Sequence, residues 1–64
     1  MKYCICSEDK DGKVAWLRAE AARGKWGPIS HAIRYPTHRD ALHVVSRLRL
    51  TAKGTIQIVD APLD

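Results

Sequence analysis

The side chains whose chemistry could build a metal centre are Cys4 and Cys6, one residue apart, and the imidazoles of His31, His38 and His43. Zinc takes four such ligands in a tetrahedral shell, and a helix carrying His38 could meet a strand carrying Cys4 and Cys6. The spacing argues against that use. Cys4-Ile5-Cys6 lacks the two-residue gap of a zinc knuckle, and His38 and His43 fall about 140° apart around a helix. The plainer expectation is that both cysteines are small side chains filling the sheet face beneath a helix. A cysteine nucleophile would need a histidine base and an oxyanion site. Nothing orders such a set, because Ser30 and His31 are only chain neighbours. Glu20 and Asp40 read as a surface charge and a helix cap. No metal, no cofactor and no catalysis are expected.

Binding is the stronger reading. Arg39, His43 and Arg47 recur at intervals of four, so they drift only about 40° along one helix face. With Arg34 and Arg49 nearby, they could neutralise phosphates or meet an acidic protein surface. The same row also reads as an ordinary solvated face. No stacking aromatics alternate with the arginines, and there is no glycine-rich phosphate loop. Gly24-Lys25-Trp26-Gly27-Pro28 is a loop by its punctuation. Trp26 there is either a lid on the core or an exposed anchor of the kind that dominates interfaces. The candidate contact set is therefore Arg34, Arg39, His43 and Arg47 with Lys25 and Trp26.

The chain that must position these groups has 64 residues, 45% hydrophobic and 28% charged. That allows a single domain over residues 1–64 with one small core. It excludes doubly wound nucleotide folds and barrels that house a substrate. Eleven Lys/Arg against seven Asp/Glu give +4. The charge is unevenly placed: residues 1–17 are neutral, residues 18–53 carry +6 and residues 54–64 carry −2. The apolar run after Met1 is too short for a signal-peptide core, and no membrane-spanning stretch is present. A cytoplasmic protein is expected. Cys4 and Cys6 on one extended strand would have Cα atoms about 7 Å apart, too far to bridge, so free thiols are expected.

The elements follow from pattern. Tyr3–Ser7 and Lys13–Arg18 flank an Asp11-Gly12 turn and read as a β-hairpin. Both of its faces are apolar: Tyr3 and Ile5 against Cys4 and Cys6, then Val14 and Trp16 against Ala15 and Leu17. Residues 19–36 read as irregular, with a short helical turn around Ile29, Ala32 and Ile33. Thr37 caps a helix from about His38 to Leu50, and Asp40 is placed to reach back. Its stripe is Ala41, Leu42, Val45 and Leu48, with Val44 at the margin. Gly54 is available for a left-handed turn. Thr55–Asp60 is the last strand, with Ile56 and Ile58 on one face. The expected fold is α+β, ββαβ, with a three-stranded antiparallel sheet of order 2-1-3 against one helix. One helix cannot cover both sheet faces. Residues 19–36, a second copy or a partner must cover the other.

This plan resembles very small phage and mobile-element accessory proteins with a ββαβ layout, including inhibitors of CRISPR surveillance complexes. The residues that carry the likeness are Tyr3-Cys4-Ile5, Trp16-Leu17, Trp26, the run from Ala32 to Ala41, and Ile56–Asp60. The resemblance implies a non-catalytic protein that binds and inhibits or modulates a bacterial protein or nucleoprotein complex in the host cytoplasm. A nucleic-acid-binding module using the same arginines is the alternative. Neither reading involves a membrane, and either accommodates a homodimer.

Overall fold

The computed structural model describes residues 2–20, 24–48 and 54–61. Strand β1 is Tyr3–Glu8, β2 Val14–Ala19, β3 Lys25–Gly27 and β4 Thr55–Asp60, with helix α1 at His38–Leu48 and a 3-10 turn at Ile29–His31. The sheet has four strands in the order β3-β2-β1-β4, and every pairing is antiparallel. The expected strand order is therefore present, with the last strand beside the first, and one strand is added. That addition corrects the three-stranded expectation. Trp26 belongs to β3 rather than to a loop, opposite Leu17 across β2. Three residues, of which the last is Gly27 and which follow Gly24, offer too little alternation to read as a strand, yet β2 presents an open edge that they pair with.

The hairpin closes through a built turn. The Asp9 amide donates to the Lys13 carbonyl at 2.9 Å, and the Asp9 carboxylate accepts from the amides of Asp11 and Lys13, each at 2.9 Å. Gly12 takes φ +83°, the left-handed step that closes a three-residue loop. Beyond Cys6 the two strands diverge, and residues 33–35 fill the gap. The Ile33 amide donates to the Leu17 carbonyl, while Tyr35 and Tyr3 exchange both backbone bonds at 2.7 and 2.8 Å. Within residues 19–36, Lys25–Gly27 thus add a strand, residues 33–35 bridge Leu17 and Tyr3, and the 3-10 turn lies against β2.

The Thr37 hydroxyl accepts from the Asp40 amide at 3.2 Å and starts α1. The helix packs over β1 and β4. It buries Ala41, Val44, Val45 and Leu48 against Ile5, Leu17 and Ile56 of the sheet, with Tyr35 joining from the connecting segment. Leu42 is 47% exposed. The expected stripe included Leu42 and put Val44 at its margin, whereas Val44 is buried. Arg47 meets Glu20 on the Val44 side of the helix, so Leu42, about 140° around from Arg47, lies on the other flank. Leu50 and Arg49, the expected end of the helix, lie outside the described residues.

Gly54 has no left-handed conformation; the positive-φ glycines among the described residues are Gly12 and Gly24. It is needed for close approach instead. A Cβ there would stand 2.5 Å from Ser7 Oγ and 2.8 Å from the Glu8 carbonyl. No described helix is long and apolar enough to cross a membrane.

Candidate binding surface

Alternation along the strands assigns each side chain to a face. Tyr3, Ile5, Leu17, Trp26, Ile56 and Ile58 point toward α1, where all pack in or against the core. Cys4 and Cys6 therefore point to the opposite side, which corrects their expected place beneath the helix. Both are nonetheless buried and free. Trp16 stands directly across from Cys6, and Val59 across from Cys4. These larger neighbours shelter the two small thiols. Burial raises the Cys4 pKa against the opposing pull of the Arg34 charge, and burial followed by Glu8 raises that of Cys6. Among the described residues no cluster of His, Cys, Asp and Glu is arranged to hold a metal.

The six candidate contact residues do not form one surface. Arg39, His43 and Arg47 line the exposed side of α1, away from the sheet. One turn separates each from the next, so they present a cationic row about 12 Å long. Arg47 Nη2 lies 3.5 Å from Glu20 Oε1, both side chains largely exposed. Such a pair contributes only about 0–1 kcal/mol and leaves the row cationic. Arg34 alternates with the core-facing Tyr35 and so lies on the reverse of the sheet, where its charge reaches Cys4. Lys25 alternates with Trp26 and points to that same reverse side. Trp26 is half-buried on the helix side of β3, against the core. Of the two expectations for it, the lid at the core edge fits its position, and the freely exposed anchor does not.

A second cationic surface was missed in the sequence. On the sheet's reverse face, Arg18 lays its stem over Gly27, where an added Cβ would come within 2.9 Å of Arg18 Cδ. Trp16 and the half-exposed Val14 precede it on the same face, with Cys6 and Glu8 across from them on β1, and alternation puts Lys2, Lys25 and Arg34 on that face as well. Trp16 and Arg18 share parity on one strand, and that was the signal available. The apolar content of both faces hid which one the helix would take.

The partner of Arg47 was also missed, because Glu20 is distant in sequence. Near that pair lies Tyr35, whose hydroxyl is buried and makes no hydrogen bond. Burial, then the adjacent Glu20 carboxylate, pushes its pKa up to about 12, against the opposing pull of the Arg47 charge.

No family model, no curated protein and no solved structure matches the chain.

Proposed function

We propose that this chain is a small non-catalytic accessory protein that binds an acidic surface on a bacterial protein or nucleoprotein complex and blocks or modulates it. The observation that carries the reading is the outer face of α1. Arg39, His43 and Arg47 are exposed there, aligned by the helix repeat and away from the side that packs. Among the described residues, Glu20 is the only counter-charge paired with that row. Rigid cationic rows of this kind steer and register acidic partners. The resemblance to phage accessory proteins supplies the kind of partner. The geometry supplies the charge it must carry.

The test is charge reversal on a folded background. Arg39→Glu with Arg47→Glu should lower partner affinity at least tenfold while leaving the circular dichroism spectrum unchanged. Unchanged affinity in the folded double variant would remove α1 from the contact.

A second reading is favoured by the reverse face, where Trp16 stands beside Arg18. An aromatic within a cationic field can stack a base while the cations hold phosphates. This nucleic-acid reading predicts affinity that falls log-linearly and steeply with salt, and that drops on Trp16→Ala.

A further inference from the structure

We propose that a second copy of this chain pairs antiparallel along β4, joining the two sheets into one and bringing the two helices side by side on the same face. The argument starts from the direction of backbone groups. The Ala61 amide donates to the Lys2 carbonyl directly opposite at 2.8 Å, which makes that a hydrogen-bonded pair of the β1–β4 ladder. Such pairs alternate, so Val59, Gln57 and Thr55 also turn their N–H and C=O groups toward β1. The corresponding groups of Ile56, Ile58 and Asp60 point outward from the sheet. β4 is the last strand in the order, and its outward groups meet no other described strand.

Natural edges are blunted with lysine, proline, bulges or brevity. Strand β4, Thr55–Asp60, has no lysine or proline and pairs with β1 without irregularity, and its one charge, Asp60, stands at its last position. The other edge, β3, is only three residues long and carries a register shift against β2. The two edges therefore differ in kind, and only β4 is shaped to accept another strand.

Self-complementarity selects the occupant. Antiparallel pairing about a two-fold axis at Ile58 sets Ile58 opposite its own copy and Ile56 opposite Asp60. All outward backbone groups are then matched, and no like charges stand opposed. The helix completes the fit. Arg47 lies on the flank toward β2, where it meets Glu20, and Leu42 is about 140° around the helix from it. Leu42 thus lies on the flank away from Glu20, 47% exposed. Because α1 sits over β1 and β4, the two helices would lie about two strand spacings apart, roughly 10 Å, the ordinary distance of packed helices. Leu42 of each copy would close that seam. The two arginine rows would also become neighbours, although this pairing does not depend on what they bind.

The experiment uses the whole chain without any partner. Light scattering after size exclusion should give twice the monomer mass. Amide exchange by NMR should show Ile56, Ile58 and Asp60 protected along with Thr55, Gln57 and Val59. Leu42→Lys, a change at an exposed position, should weaken the dimer at least tenfold and release the first three amides alone. Asp60→Pro, at an exposed position, deletes an outward N–H and should also give a monomer. A wild-type monomer at all concentrations would overturn the proposal. So would a dimer in which Ile56, Ile58 and Asp60 exchange freely, or one that persists in both variants. These readouts are independent of partner affinity, so failure here is distinct from failure of the helix-face reading.

Discussion

Tyr35 is where a single side chain most directly reports the local physics. Its hydroxyl is buried without a hydrogen bond, and its pKa is pushed up to about 12, first by burial and then by Glu20. A raised folded-state pKa stabilises below the ordinary phenol value of about 10, and that stability is lost as pH rises through the folded value. The wild type should therefore shed stability across that alkaline window. In Tyr35→Phe this component should vanish, and neutral-pH stability should be unchanged or higher by up to about 2 kcal/mol, because an unpaired polar group leaves the interior. Urea unfolding at several pH values checks both. A loss above about 1 kcal/mol at neutral pH would mean that the hydroxyl is satisfied. The cysteines provide a second residue-scale check. Burial raises both thiol pKa values, so alkylation of Cys4 and Cys6 should be slow in the native protein and rapid in denaturant. Fast labelling of the native state would place the thiols in solvent.

At the scale of elements, close approach matters as much as helix packing. The turn into β4 brings Gly54 against Ser7 and Glu8, and the 2.8 Å contact a Cβ would make is with backbone that cannot rotate aside. Gly54→Ala should cost about 1–3 kcal/mol in chemical denaturation, whereas an unaffected midpoint would show that the turn relaxes freely. Helix α1 and strand β4 were legible in the sequence for definite reasons. Thr37 caps the helix after a proline, and Ile56 and Ile58 alternate cleanly before Pro62. Strand β3 was hidden by its glycines and its brevity, since only the pairing with β2 defines it. Leu42 was misjudged because periodicity gives the apolar side of a helix but not its lateral offset over the sheet. That offset leaves Leu42 exposed and covers Val44.

At the scale of the whole molecule, charge and exposed edge organise the surface. The row Arg39, His43, Arg47 could be read from spacing because one element carries it. Its separation from Arg34 and Lys25 could not, because strand pairing decides which face each side chain meets. The same pairing moved Cys4 and Cys6 to the face away from the helix and exposed a cationic patch around Arg18. An edge-paired dimer would set two helix rows together and leave both reverse faces on the other side, so the two candidate surfaces would act separately.

The central claim is that the α1 row recognises an acidic protein surface, and affinity capture tests it most directly. The wild-type chain and the folded Arg39→Glu/Arg47→Glu variant would serve as baits in bacterial lysate, with and without nuclease, and the eluates would be read by mass spectrometry. The account predicts one discrete protein or nucleoprotein complex, retained by the wild type after nuclease and lost from the variant. A heterogeneous set that vanishes with nuclease, or the same complex on both baits, would contradict it.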